Sequence, residues 1–330
     1  MSGDATSEHE LDLEGLRADY QQLRGALGAV LVGQEPALDL TLAALLGGGH
    51  VLLEGPPGVG KTLLGRALAA LLETDYRRIQ FTSDLMPTDI IGTYVIMESG
   101  GRRRFEFQQG PLFTNLLLAD EINRATPKTQ AALFEALDER AVSVANERYS
   151  LPVPFFTIAT QSLGDIEGTF PIPETQLDRF FFQIRLDQPE GESLEAILLR
   201  ITAAEDPPLA RVLDRSRLAA LLQGVRSLPI SPAALQLSVR LLMATHPPHA
   251  SAPAATRRLV LRGSSPRGGQ AMLFGARVAA LADGRAEVSP ADVRRLAVPA
   301  LRHRVVLNFE GHSEEAGVDG ILSEILDAVK

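Results

Sequence analysis

The sequence predicts an α/β protein in which helices cover both faces of a parallel β-sheet, followed by a small all-α domain. Up to about Pro189, short apolar runs typical of buried strands alternate with helical or loop segments. Beyond it, strand-like runs become scarce, and leucine- and alanine-rich stretches at helical spacing take over. We therefore expect residues 1–10 to be a disordered tail, 11–189 an α/β domain and 190–330 a helical domain.

The apolar pattern places the individual elements. Apolar residues three and four apart between Leu13 and Val30 predict an amphipathic helix, which Val32-Gly33-Gln34 ends, and a second helix is expected over 35–46. Ser231-Pro232 and Ser289-Pro290 each predict a helix start, with serine as N-cap and proline in the first turn. Five apolar runs predict buried strands, at residues 50–54, 78–81, 116–120, 155–160 and 180–184.

Two hairpins are expected to interrupt this alternation. Residues 91–110 contain two β-type runs on either side of Gly100-Gly101, and residues 142–151 contain two more around a polar turn. Arg102, Arg103 and Arg104 lie beside the first turn. A solvated loop tip is the favoured interpretation of this charge run, and a tip that contacts a client or a nucleic acid is the alternative.

Bulk composition limits the possible functions. The net charge of −9 disfavours a DNA-coating surface, so no nucleic-acid partner is expected. The absence of cysteine excludes disulfides and thiolate metal sites. The polar, acidic N-terminus does not resemble a signal peptide, and no apolar run approaches the ~18 residues of a membrane span. These features favour a cytoplasmic protein.

Residues Gly55-Pro56-Pro57-Gly58-Val59-Gly60-Lys61-Thr62 match the phosphate-loop pattern Gly-x-x-x-x-Gly-Lys-Thr. Glycines let the main chain approach an anion closely, and the helix that follows points its positive dipole end at the same place. Lys61 is suited to bind the β- and γ-phosphates, and Thr62 offers a hydroxyl to Mg²⁺. A strand before the loop and a helix after it are the context that this motif requires, so we predict binding of ATP with Mg²⁺.

Two adjacent acids about 60 residues further on distinguish a nucleotide hydrolase from a simple binder. Asp120 ends the apolar run at 116–120, where a carboxylate can hold Mg²⁺ through water. Glu121 follows it directly and is suited to polarise an attacking water. A solvated acidic strand end is the alternative interpretation.

These residues carry a resemblance to the MoxR branch of AAA+ ATPases. It rests on the phosphate loop, on the run at 117–124 that contains both acids, and on Pro127 to Leu133. Further matching strings run in order along the chain: Phe81 with 84–87, 167–174, 176–180, 265–267 and 303–304. The resemblance covers residues 32 to 310 and is far more specific than a phosphate loop alone.

The resemblance implies an AAA+ P-loop three-layer sandwich with a helical lid, assembled as a homo-oligomeric, hexameric ring with nucleotides between subunits. Arg179 matches an arginine inserted into the neighbour's site; a structural ion pair with Asp178 or another nearby acid is the alternative. Arg267 matches the arginine that reports nucleotide state to the lid. Gly33, Gln34 and Leu63 are also expected to contact nucleotide. Such proteins remodel or assemble client proteins, often with a partner that contains a von Willebrand factor A domain.

One departure from the family concerns the residue that orients water near the γ-phosphate. Relatives carry an asparagine where this chain has Ser162, although Gln161 could substitute for it, so we expect slow ATP hydrolysis. Three alternatives to a chaperone-like remodeller stay open. They are a chelatase-type motor subunit, a scaffold locked by bound ATP, and a DNA-remodelling motor, which the net charge disfavours.

Overall fold

The structure is a computed structural model that describes residues 12–99, 102–161, 168–202, 209–313 and 317–329. Helices α1 (Leu13–Gly28) and α2 (Glu35–Gly47) precede the first strand. They confirm the two helices expected there, with the break at the glycine-containing turn between them. Gly33 adopts a φ of +74° in that turn, a conformation that favours glycine.

A five-stranded parallel sheet forms the centre of the α/β part. Side by side, its strands are β2 (Tyr76–Gln80), β5 (Leu116–Asp120), β8 (Phe156–Gln161), β1 (Val51–Glu54) and β9 (Phe182–Arg185). All four neighbouring pairs are parallel. All five predicted strands are therefore present, and their carboxyl ends lie along one edge of the sheet. The prediction that each strand is buried is wrong for β2, in which Ile79 is buried but Arg77, Arg78 and Gln80 are exposed, because β2 is an edge strand with a neighbour on one side only.

Alternate strand residues enter two separate apolar cores, because successive side chains of a strand point to opposite faces. Leu53 and Leu118 belong to the core formed with α1, α2 and α3 (Lys61–Leu72). Leu52 and Leu117 belong to the core formed with α5 (Pro127–Glu139). Helices on both faces of a parallel sheet confirm the three-layer sandwich. This part also contains the short helices α4 (Pro87–Ile91) and α6 (Glu174–Leu177).

Two antiparallel hairpins project from the sandwich: β3 (Gly92–Ser99) with β4 (Arg102–Gln109), and β6 (Ala141–Val144) with β7 (Glu147–Ser150). They contact each other at their bases. The Tyr94 and Tyr149 hydroxyls are 2.7 Å apart, and the rings of Phe107 and Tyr149 stack with centroids 4.3 Å apart. The first hairpin is thus anchored at its base by the second.

The described residues of the C-terminal part are mostly helical and include a small antiparallel ribbon, β10 (Val260–Arg262) with β11 (Val306–Leu307). The N-terminal caps expected at Ser231 and Ser289 are confirmed: the Ser231 hydroxyl accepts the Ala234 N–H at 3.2 Å, and Ser289 begins a capping box. The helices are α7 (Gly191–Ile201), α8 (Arg215–Ser227), α9 (Pro232–Ala244), α10 (Ala254–Leu259), α11 (Pro266–Ala282), α12 (Pro290–Leu301), α13 (Phe309–Ser313) and α14 (Gly317–Ala328).

The helical part packs tightly on the α/β part. Leu23 of α1 and Leu42 of α2 belong to the same continuous core as Met272 and Leu281 of α11. The two helices that precede the sheet therefore join both halves of the chain. Among the described residues, no helix combines the length and apolarity needed to cross a bilayer.

Candidate nucleotide site

The predicted phosphate loop connects the buried strand β1 to helix α3, which begins at Lys61. Gly58 and Gly60 have φ values of +84° and +96°, which side chains rarely allow. A Cβ on Gly55 would lie 2.5 Å from the Leu186 carbonyl oxygen, so the main chain has no room for a side chain there. These glycines give the loop the tight path that brings backbone N–H groups and a helix N-terminus to one place.

Lys61 closes the loop on itself. Its Nζ donates to the Gly55 carbonyl at 2.7 Å and to the Pro56 carbonyl at 3.2 Å. Thr62 and Leu63, in the first turn of α3, line the same cleft, which has a volume of about 1140 Å³. The cleft is therefore large enough for a nucleoside triphosphate. The Lys61 ammonium group is held at the loop, where it can contact phosphate oxygens.

Asp120 ends β5 at the edge of this cleft and is 8% exposed. The Thr160 hydroxyl donates to its Oδ1 at 2.6 Å, and Arg78 Nη2 donates to its Oδ2 at 2.7 Å. One carboxylate oxygen is thus fixed by the neighbouring strand, and the other faces a cation. A carboxylate in this setting fits the role of a Mg²⁺ ligand.

Glu121 lies at a sharp turn, with a φ of +56° that is uncommon for a residue with a side chain. Its N–H donates to the Thr160 hydroxyl at 2.8 Å, which stabilises this conformation. Its carboxylate accepts Gln80 Nε2 at 2.9 Å and forms an ion pair with Arg124 at 3.1 Å. The strained turn aims the carboxylate into the cleft, where such strain often has a functional purpose.

An apolar recess of about 320 Å³ adjoins the phosphate loop. Gln34 and Leu63 line it, and the Gln34 amide donates to the Asp187 carbonyl at 2.8 Å. Gly33 lines a smaller neighbouring pocket instead. An apolar slot beside a phosphate site suits a purine base. Its other walls are formed by Val30, Leu31, Val32, Pro57, Gly58, Val59, Gly60, Gln188, Pro189, Leu194, Ile197 and Leu198.

Arg179 and Arg267 line a second cleft, of about 230 Å³, and not the cleft at the phosphate loop. Arg179 Nη1 lies 2.7 Å from Asp138 Oδ2, and Arg267 Nη2 donates to Asp138 Oδ1 at 2.8 Å. The structure therefore places Arg267 beside Arg179 and away from the nucleotide site of its own chain. Within one subunit, Arg179 forms its ion pair with Asp138 and not with Asp178, because Asp178 pairs with Arg304.

Ser162, the position of the expected water-orienting residue, lies outside the described residues. Gln161 precedes it at the end of β8 and lines the phosphate-loop cleft. Its Oε1 is buried without a hydrogen-bond partner among the described residues. A buried polar atom without a partner, next to a phosphate site, is a candidate contact for water or ligand.

Sequence reasoning missed several functional neighbours: Arg78, Gln80, Arg124 and Thr160 at the acids, and Asp138 at the arginines. The β2–β5 register pairs Gln80 with Asp120, so Gln80 lies at the carboxyl end of a neighbouring parallel strand. Ligands bind at the carboxyl ends of such strands, and this rule could have identified Gln80 and Thr160. No comparable sequence signal points to Asp138.

Comparisons with known proteins agree with this geometry. The family model described as "ATPase family associated with various cellular activities (AAA)" matches residues 50–182, and an AAA lid domain model matches residues 253–325. The chain is 38% identical to "Chaperone MoxR1" of Mycobacterium tuberculosis, over 96% of this chain and 84% of the relative. It is 33% identical to "Protein MoxR" of Paracoccus denitrificans, over 88% and 89% of the two chains.

The chain belongs to the MoxR family of AAA+ ATPases. A crystal structure of a Cytophaga hutchinsonii protein superposes on it with a TM-score of 0.89, at 33% identity and over 96% of both chains. The resemblance stated from the sequence is thereby confirmed, as are the AAA+ fold with its helical lid and the ATPase activity.

Proposed function

We propose that this MoxR-type ATPase works as a hexameric ring in which each ATP is bound by one subunit and completed by Arg179 and Arg267 of the next. The observation that carries the proposal is the separation of the two halves of the site. The phosphate loop and both acids line one cleft, while the two arginines share Asp138 on another. A neighbouring copy can bring the second cleft to the first, where guanidinium groups stabilise charge on the transferred phosphoryl group.

Within the first cleft, each side chain has a role that its position supports. Backbone N–H groups of the loop and Lys61 hold the phosphates, while Thr62 and Asp120 hold Mg²⁺. The metal ion, when bound, neutralises charge that develops on the phosphate oxygens. Glu121 orients and polarises the attacking water, and Gln34 with Leu63 lines the slot for the adenine base.

Slow turnover is part of this proposal. The Gln80 amide and Arg124 both engage Oε2 of Glu121, which restricts the movement of the carboxylate toward an attacking water. The replacement of the family's asparagine by Ser162 points in the same direction.

The hairpin β3–β4 is the proposed contact to a client protein. Ile96 and Phe105 pair across its two strands and are 59% and 76% exposed. Contiguous exposed apolar patches mark protein interaction surfaces. From the resemblance, we extend the proposal to a protein client, a partner that contains a von Willebrand factor A domain, and a cytoplasmic location. The name "Chaperone MoxR1" of one relative supports the chaperone role.

Subunit mixing tests the shared site. Lys61→Ala removes the phosphate-binding lysine but leaves the arginines intact, whereas Arg179→Ala does the reverse. Each variant alone is expected to hydrolyse ATP at least about 10³-fold more slowly than the unaltered protein, and their mixture should recover measurable activity. Arg148→Ala, which removes an exposed arginine paired with Glu139, is the control and should keep full activity. An Arg179→Ala protein as active as this control would refute the proposal.

Phosphate release from Glu121→Gln separates the ATPase from a scaffold locked by bound ATP. The variant should bind ATP normally and release phosphate at background rate, well below the unaltered chain. Equal rates for the two proteins would favour the scaffold.

A further inference from the structure

Asp138 occupies a position between two guanidinium groups that nothing in its local sequence explains. One carboxylate oxygen faces Arg179 at 2.7 Å and the other faces Arg267 at 2.8 Å. The three residues come from separate elements: Asp138 from the end of α5, Arg267 from the start of α11, and Arg179 from the segment before β9. A single acid therefore joins the α/β part to the helical part at the two arginines.

Local electrostatics oppose both ends of this arrangement. Asp138 lies in the last turn of α5, where the helix dipole disfavours a negative charge, and Arg267 lies in the first turn of α11, where it disfavours a positive one. Two guanidinium groups beside each other also repel. The shared carboxylate offsets all three costs, which explains why the three charges occur together.

The backbone segments that carry the two arginines are fixed independently of Asp138. The Ser265 hydroxyl, at the N-cap of α11, donates to the Asp178 carboxylate at 2.7 Å. Arg304, which is 5% exposed, donates to the same carboxylate at 2.7 Å. This network connects the residue before Arg179 to the start of the helix that carries Arg267. Asp138 contacts only the tips of the arginine side chains.

The guanidinium groups keep donors for a further anion. Arg179 uses Nη1 for Asp138 and the Phe134 carbonyl, and its Nε is buried without a hydrogen-bond partner among the described residues. The Arg267 guanidinium donates only to Asp138 within the described part of the chain. Each guanidinium has five N–H groups, so both can bind phosphate oxygens while they stay on the carboxylate.

We propose that Asp138 is a positioning residue that holds Arg179 and Arg267 side by side as one unit for the γ-phosphoryl group of the neighbouring subunit's ATP. This inference rests on the proposed function, since it presupposes that the two arginines act on a neighbour. Asp138 itself does not touch the nucleotide. It sets the spacing and direction of the two cations and offsets their repulsion before the anion arrives.

The test compares Asp138→Ala with Glu139→Gln, a matched loss of one acid at the next position of α5. Glu139 pairs with Arg148 on the hairpin β6–β7 and does not contact the two arginines. Asp138→Ala should lower kcat about tenfold or more, because small displacements of a positioned group have large effects on rate. KM for ATP should stay within about twofold, because the phosphate loop is untouched. Glu139→Gln should change neither, and Asp138→Glu should recover part of the lost rate.

A double-mutant comparison and mixed subunits make the role specific. In an Arg267→Ala background, Asp138→Ala should lower kcat by much less than in the unaltered chain, because the pair it aligns no longer exists. Mixing Asp138→Ala subunits with Lys61→Ala subunits, which bring intact arginines, should restore activity at the mixed interfaces. A purely structural defect would not be rescued in this way.

The outcomes separate this inference from the function on which it rests. If Arg179→Ala is inactive while Asp138→Ala matches Glu139→Gln, the positioning role is wrong and the shared site stands. Equal losses from Asp138→Ala with and without Arg267 would also overturn it. If Arg179→Ala itself retains full activity, the shared site fails. Thermal unfolding of every variant identifies loss of fold, and Asp138→Asn, which keeps the shape, then replaces Asp138→Ala.

Discussion

Replacing Thr160 with valine should destabilise the fold and slow ATP hydrolysis together. The Thr160 hydroxyl is buried, donates to Asp120 Oδ1 at 2.6 Å and accepts the Glu121 N–H at 2.8 Å. A hydrogen bond to a charged group contributes about 1.5–3 kcal/mol, and a buried N–H left without a partner costs about 1–3 kcal/mol. Valine keeps the shape of threonine and removes both hydrogen bonds, so we expect the free energy of unfolding to fall by about 3 kcal/mol.

Thr157, three residues earlier on the same strand, provides the matched control. Its side chain is fully buried, yet no described residue hydrogen-bonds its hydroxyl oxygen. Burial of an unpaired hydroxyl costs about 1–3 kcal/mol in protein mutation data. Thr157→Val should therefore stabilise the protein, by about 1 kcal/mol. The same chemical change thus has opposite signs at two positions of one strand.

Thermal unfolding and phosphate release measure the two effects. At about 2 °C per kcal/mol for a large domain, Thr160→Val should lower Tm by about 6 °C and Thr157→Val should raise it by about 2 °C. Thr160→Val should also lower the hydrolysis rate at least about tenfold, which corresponds to about 1.4 kcal/mol, because Asp120 and Glu121 lose their common support. Tm shifts of the same sign for both variants would refute this account of the site.

Three further predictions concern other parts of the structure. Burial lowers the pKa of His50 from 6.5 to about 4, so its contribution to stability is complete above about pH 6.5 and is lost as the pH falls to about 4. Urea unfolding across this pH range should show that the free energy of unfolding falls by about 3 kcal/mol, and His50→Gln should make this fall smaller. Arg304→Met should cost about 3 kcal/mol or more in urea unfolding, because it leaves a carboxylate without its buried partner. Gly55→Ala should abolish binding of a fluorescent ATP analogue, because the added Cβ would meet the Leu186 carbonyl. Gly58→Ala should weaken this binding less, because a Cβ at that position would have no neighbouring atom within 4 Å.

The strands and the phosphate loop were predictable because local patterns decide them. The apolar residues Val51, Leu52 and Leu53 of β1 are all buried, as an apolar run predicts for a strand covered on both faces. The loop follows it directly, and its glycines are required by backbone conformation and by close contact, both of which depend on the nearby sequence. The proline and serine signals at Ser231 and Ser289 are local in the same way.

The partners of the site residues were not predictable, because they depend on strand order and on side chains distant in sequence. Gln80 reaches Glu121 only because β2 lies next to β5. The sequence suggested an ion pair of Arg179 with Asp178 or another nearby acid, and Asp178 is its neighbour in the chain. The structure pairs Arg179 with Asp138 instead, 41 positions away, because Asp178 serves Arg304.

This division of the two acids follows from burial. The Arg304 side chain is 1% exposed, and an unpaired charge buried that deeply costs several kcal/mol. Asp178 must therefore stay paired with Arg304. Arg179, Arg267 and Asp138 have side chains that are 25%, 41% and 36% exposed, and ion pairs in that range contribute about 0–1 kcal/mol. A cation that engages an incoming phosphate needs donors that a buried partner has not taken up. We therefore infer that Arg304 fixes the lid to the sheet, while Arg179 and Arg267, held by Asp138, keep N–H groups available for a phosphate.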